Sequence, residues 1–161
     1  MLEELELAKL FDTESDWGKE HIMDPLTDEM IKRAEGTIGY KLPQSYIELL
    51  RFQNGGVIES DDCWLTVIYG IGKTEDTFNG LEGMFDNWIN EWEYPNIGIP
   101  FGETQSGGHD MYFMDYRNLD TNGEPVIVHI ENEGDIEDIK IKQVADNFKE
   151  FLEMVLTGKL S

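Results

Sequence analysis

Leu42-Pro43-Gln44-Ser45-Tyr46-Ile47-Glu48-Leu49-Leu50-Arg51-Phe52-Gln53-Asn54-Gly55-Gly56 carries the punctuation of one helix and its stop. Pro43 suits a first helical position, where no amide hydrogen is needed. Tyr46, Ile47, Leu50 and Phe52 supply a side to bury. Asn54, Gly55 and Gly56 tolerate the left-handed backbone that ends helices. Immediately upstream, Thr27 reads as an N-cap, with Asp28 and Glu29 at the positive end of a helix. Met30, Ile31, Ala34 and Ile38 form its apolar stripe and Gly39 closes it. Two helices joined by so few residues are expected to pack as a hairpin.

Downstream the period changes. Trp64 to Tyr69 is rich in β-branched and aromatic residues and reads as a strand ended by Gly70 and Gly72. Leu81, Met84, Phe85, Trp88 and Trp92 recur at helical spacing, bounded by Pro95. Ile97 to Ile99 reads as a short strand, followed by a glycine-rich loop from Gly102 to Gly108. Met111 to Tyr116 and Val126 to Ile130 are expected to pair as a hairpin around the Asn122-Gly123 turn. Glu131 to Asp138 reads as an acidic loop. Val144, Phe148, Phe151, Leu152, Val155 and Leu156 then define a last helix stopped by Gly158. Towards the N-terminus, Leu2, Leu5, Leu7, Leu10 and Phe11 suggest a short amphipathic helix, and Asp12 to Pro25 reads as irregular. Helices at both ends of a run of strands argue for an α+β fold rather than alternating βαβ units.

The chain has 161 residues, enough for one domain with a real core. Thirty-four acids face 12 Lys and Arg, a net charge of −22. A duplex-binding protein needs a basic footprint, so direct binding to nucleic acid is not expected, and an anionic membrane surface would repel the chain. One cysteine, Cys63, leaves no internal disulfide framework and no zinc site built from two or more cysteines. The acidic N-terminus does not read as a secretory signal, and no apolar run approaches the roughly 18 residues of a membrane span. A cytoplasmic protein is expected.

Several motifs resemble sites that carry chemistry. Thr104-Gln-Ser106-Gly-Gly108 resembles a nucleophile elbow, but the apolar run after it reads as a strand, where that motif requires a helix. Asn118 to Gly123 opens with the spacing of a calcium loop, yet its closing position falls on His129 where a bidentate Glu is needed. Gly70-Ile-Gly72-Lys73-Thr74 lacks the spacer of a phosphate loop. His109, Asp110 and Asp115 offer imidazole and carboxylate ligands, but spacing this loose is common by chance and does not mark a metal site. These observations leave no catalytic residue, metal site or cofactor to name. Trp88 and Trp92, four apart on a helix, read as core. Trp17 and Trp64 each lie beside an acid, a composition that suits contact with a basic protein.

Two stretches resemble the SUKH superfamily, whose eponymous members include a yeast regulator of cell-wall synthesis. The first runs from Ile31-Lys-Arg-Ala-Glu35 through Gly39 and Leu42-Pro43 to Asn54-Gly55-Gly56. The second is Ile99-Pro100-Phe101-Gly102 with Ser106-Gly107-Gly108-His109-Asp110 and Asp115; it departs at His109, where many relatives have a small residue or glycine. The Phe148-x-x-Phe151-Leu152 helix fits as well. The resemblance implies a single SUKH-like domain over residues 1–161, with residues 1–25 as an N-terminal extension. It implies helices packed against a curved, largely antiparallel or mixed sheet, and no catalysis. Bacterial members are mostly immunity proteins that neutralise polymorphic toxins by direct binding, whereas eukaryotic relatives are regulatory scaffolds.

Charge and resemblance meet here. The expected partner is a basic protein, most naturally a toxin domain such as a nuclease, engaged by an acidic surface. The candidate contact residues are Asp61, Asp62, Trp64, Glu103, Asp110, Glu131 and Glu133. The alternative is a regulatory scaffold with no toxin partner.

Overall fold

The computed structural model describes residues 3–60 and 62–160, residue 136 by its backbone alone. Seven strands form one antiparallel sheet in which every strand pairs with its sequence neighbours. They are β1 (Phe11–Asp12), β2 (Gly56–Ile58), β3 (Leu65–Ile68), β4 (Gly98–Thr104), β5 (Asp110–Leu119), β6 (Pro125–Glu131) and β7 (Lys140–Ala145). The sheet is an open meander, so β1 and β7 are its edges. The helices are α1 (Glu4–Leu7), α2 (Asp16–Glu20), α3 (Asp28–Ile38), α4 (Gln44–Phe52), α5 (Leu81–Asp86) and α6 (Phe148–Leu156), with one 3₁₀ turn at Ile136–Asp138. The α+β expectation holds. Among the described residues, no helix is long and apolar enough to cross a membrane.

Local chemistry explains the helix ends. Thr27 Oγ1 accepts from the Met30 amide at 3.2 Å, and Gly39 takes φ +82° after the last turn of α3. Pro43 turns out to be the N-cap residue of α4 rather than its first helical residue. Gly55, at φ +85°, leaves no room for a Cβ, which would lie 2.4 Å from the Gly70 amide nitrogen. Asn147 caps α6 by accepting from the Glu150 amide at 2.8 Å.

Both faces of the central strands are covered, which is why β5 is buried from Asp110 through Asp115. On one face, Phe101 and Tyr112 pack their rings on Phe148 and Phe151 of α6, and Tyr46 of α4 meets Phe148. On the other face Phe113 stacks on Tyr94, just beyond α5. α3 packs chiefly on α5, whereas α4 packs on α1 and α6. The expected hairpin of α3 and α4 is therefore not how these helices find their main neighbours.

Other departures have clear causes. Asp12 to Pro25 is not irregular throughout: β1 begins at Phe11, and Ser15 caps α2 by accepting from the Gly18 amide at 3.0 Å. This N-terminal segment joins the same sheet through Phe11–Ile58 and Asp12–Val57 pairing. β4 runs on to Thr104, through glycine-rich sequence expected to be loop. Gly102 pairs with Ile68 and Tyr112 within the strand, and it is glycine there because a Cβ would meet the Leu65 side chain at 2.7 Å. β7 was not legible. Its first four residues are exposed, Ile141 among them, so it lacks the buried face that marks the other strands, and Lys140 and Lys142 on an edge strand discourage pairing with other chains. Val144 belongs to β7 and not to α6.

The helix expected from Leu81 to Trp92 is continuous only in outline. α5 passes at Asn87–Glu91 into a wider turn, closed by the Trp92 amide donating to the Asn87 carbonyl at 3.0 Å, an i to i−5 bond. Trp92 follows this wider turn with its ring 5.2 Å from that of Trp88 and edge-on to it. Trp88 is buried and donates to the Tyr69 hydroxyl at 2.8 Å; Trp92 is 39% exposed.

Candidate functional site

The seven expected contact residues do not share one face. Asp61 lies outside the described residues. Asp62 is exposed just ahead of β3. Glu103 is half-buried and pairs across from Met111, on the opposite face of the sheet from Tyr112. Glu131 is half-buried at the end of β6, across from both Asp110 and Lys140. Glu133 is exposed in the loop after β6, 3.8 Å from His109 Nδ1.

Asp110 is 6% exposed, and its carboxylate is occupied inside the protein. Trp64 Nε1 donates to it at 2.5 Å, Thr104 Oγ1 donates at 2.6 Å, and His129 Nε2 meets the same oxygen as Trp64. Its own amide donates to Ser106 Oγ at 3.0 Å. Asp110 is therefore not part of an exposed acidic face, and Trp64 is half-buried with its indole nitrogen engaged. Sequence could not show this, because the groups that reach Asp110 come from three separate places in the chain, Trp64, Thr104–Ser106 and His129.

Burial alone would raise the Asp110 pKa, but its hydrogen bonds with Ser106, Thr104, Trp64 and His129 outweigh that and hold it below the ordinary carboxylate value. Because the folded value is the lower one, this contribution to stability is full above about pH 4 and is lost as pH falls through the folded pKa. Trp64→Phe removes one charge-assisted donor. It is expected to cost about 1.5–3 kcal/mol near neutral pH and to move the acid-induced loss to higher pH. Urea unfolding followed by circular dichroism at neutral and acid pH checks this; superimposable acid profiles would disprove it.

The motifs that resemble chemical sites resolve into structural parts. Ser106 Oγ accepts from the Asp110 amide at 3.0 Å and lies 3.0 Å from Thr104 Oγ1, whose single proton goes to the Asp110 carboxylate, so it braces a turn. Asp120 Oδ1 accepts from the Asn122 and Glu124 amides at 2.8 and 2.9 Å, the pattern of an Asx turn rather than a calcium loop. Gly72 and Lys73 turn their carbonyls to Arg33, each accepting at 2.6 Å, whereas a phosphate loop presents amides. Among the described residues no three of His, Cys, Asp and Glu are grouped to hold a metal ion.

Three loops meet instead at one end of the sheet. The Trp92 carbonyl accepts from Asn132 Nδ2 at 2.8 Å, and the Asn132 amide donates to the His109 carbonyl, also at 2.8 Å. Tyr94 donates its hydroxyl to the Gly108 carbonyl, and the Trp92 and His109 rings meet edge to face at 6.1 Å. Gly108, at φ +108°, is required there: a Cβ would lie 2.8 Å from Trp88 and 2.9 Å from Trp92. Glu93 holds a left-handed conformation at φ +58°, which is uncommon for its type. These loops and the last residue of the wider turn before them carry Glu91, Glu93, Glu133 and Asp135, all exposed, and the loops carry no Lys or Arg. A half-exposed tryptophan on a braced acidic end is suited to a cationic protein surface. Of this patch the sequence pointed to Glu133 alone; Trp92 was hidden by its helical spacing from Trp88.

A comparison with curated proteins found no match for this chain. The family model of the SMI1 / KNR4 family (SUKH-1) matches residues 25–154, which takes in both signature stretches and six of the seven strands. On that match, and on the helices and antiparallel sheet that agree with it, the chain belongs to the SMI1 / KNR4 family (SUKH-1).

Proposed function

We propose that this protein is a non-enzymatic binding module, an immunity protein that neutralises a toxin by covering a cationic surface on it. The family supports a protein-binding module of the immunity or regulator kind. The observation that carries the acidic-surface reading is the braced loop end, where Trp92 is exposed among four carboxylates with no Lys or Arg on the same loops. The net charge of −22 extends that field over the molecule, so a basic partner is steered into contact and held at close range by Trp92. Asp62 and Glu133 remain available from the residues expected to take part, whereas Asp110 does not.

The test is calorimetric titration of the full chain with the C-terminal domain of any large toxin-like protein encoded beside its gene, at low and high salt. Raising sodium chloride is expected to weaken binding by at least about tenfold, since exposed charges are screened. Trp92→Ala is expected to cost about 2 kcal/mol, roughly thirtyfold in Kd, and Glu93→Lys with Glu133→Lys to slow association about tenfold. Binding indifferent to salt and to all three substitutions would remove the acidic end as the contact surface. Binding only to proteins of the host's own machinery, with no rescue from a toxin, would favour the regulatory scaffold.

A further inference from the structure

A cavity of about 360 Å³ opens where the end of α6 faces β5, β6 and β7. Trp64, Tyr112 and His129 form its aromatic walls, and Met154 and Leu160 add apolar surface. Two cations reach it. Lys142 sits on β7 directly across from His129, which places both on the same face of the sheet as Tyr112. Lys159 is delivered by the end of α6: Gly158 turns left-handed at φ +72°, its amide donates to Val155, and the Lys159 amide returns to the Met154 carbonyl at 2.9 Å. Leu160 is buried behind that turn, which fixes the tail over the cavity.

The charge of this cavity runs against the rest of the molecule. Acids outnumber Lys and Arg by 34 to 12, yet among the described residues no carboxylate lines it. Three other surface cavities have acids in their walls, at Glu6, Glu59 and Glu153, at Asp24 and Glu29, and at Glu48, Asp120 and Glu124. Asp110 lies behind His129, held by the internal donors described above. Among the described residues, neither Lys142 nor Lys159 has a carboxylate within 4.0 Å. Two ammonium groups with no carboxylate partner among the described residues, set beside aromatic walls, are a complement to an anion carried on a ring.

We infer that this cavity binds a small aromatic anion, with its carboxylate or phosphate between Lys142 and Lys159 and its ring against Trp64 and Tyr112. The site is separate from the acidic loop end and does not depend on the protein-binding reading. It is tested by ¹H–¹⁵N correlation spectra of the full chain titrated at constant ionic strength with phenyl phosphate, phenylacetate and benzyl alcohol. The Trp64 indole N–H and the amides of Gln143, Lys159 and Leu160 report on the walls. At least one anion is expected to shift them saturably, with about tenfold weaker binding for benzyl alcohol. The Lys142→Gln, Lys159→Gln double variant, changed only at exposed positions, is expected to lose about tenfold in affinity while its remaining peaks stay in place. Tighter binding of phenyl phosphate identifies a phosphate ester as the natural class; tighter binding of phenylacetate identifies a carboxylate. No saturable shift with either anion, equal binding of benzyl alcohol, or undiminished binding by the double variant would each overturn the inference.

Discussion

Asn54→Ala is expected to destabilise the protein by about 3–5 kcal/mol, because one buried side chain closes three main-chain groups at once. Asn54 is 3% exposed and follows α4 in the Asn-Gly-Gly stop. Its Nδ2 donates to the Asp24 carbonyl at 2.6 Å and to the Ile71 carbonyl at 2.7 Å, while its Oδ1 accepts from the Ile71 amide at 2.8 Å. The residue thus ties the end of α4 to the segment before α3 and to the chain leaving β3. Alanine would leave an amide and two carbonyls without their partner, and the tight approach of Gly55 and Gly70 leaves little room to rearrange. Asn54→Asp keeps the acceptor but loses the donor, so it is expected to be damaging too. Urea unfolding checks both: a fall in midpoint at unchanged slope is the expected result. A loss below about 1 kcal/mol in the alanine variant would mean that solvent reaches these groups and that the Asn54 bonds are not what closes the turn.

Arg33→Met should have an effect of similar size by a different route. Glu82, at the start of α5, has a side chain only 3% exposed, and Arg33 Nη2 meets it at 2.6 Å while Nε lies 3.1 and 3.2 Å from its two oxygens. The same guanidinium holds the Gly72 and Lys73 carbonyls. Removing the arginine strands a buried carboxylate, a change that typically costs 3–5 kcal/mol, roughly the total margin of a weakly stable domain. Glu82→Leu in the same chain removes the stranded charge, so the double variant is expected to recover about half of the loss. The remainder belongs to the two carbonyls. A double-mutant cycle by urea unfolding measures the coupling, and additive losses would show that the pair does not act as a unit.

These two residues also show how far the sequence reaches. Asn54 was legible as a helix stop, since Asn-Gly-Gly ends a helix wherever it follows an apolar stripe. Its reach to Asp24 and Ile71, 30 and 17 positions away, was not. Arg33 sat in a recognised stretch with no visible task, because its partner is 49 positions on. The candidate contact residues fared likewise. Exposed Asp62 and Glu133 stand where acids in polar sequence are expected to stand, but Asp110 was drawn inside by Trp64, Thr104 and His129.

By itself the sequence determined the charge, the N-cap of α3, the stops of α3, α4 and α6, the β5–β6 hairpin and the family. These rest on groups within a few residues of one another, or on totals that no folding can alter. Only the tertiary structure decided that Phe11 and Asp12 join the sheet, that β7 forms its far edge, that Trp92 turns outward and that Lys142 and Lys159 meet at one cavity. An edge strand needs a neighbour to pair with, and a wider helical turn shows no sign in the spacing of its tryptophans. Two lysines 17 residues apart share a cavity only after a strand register and a glycine turn have placed them there.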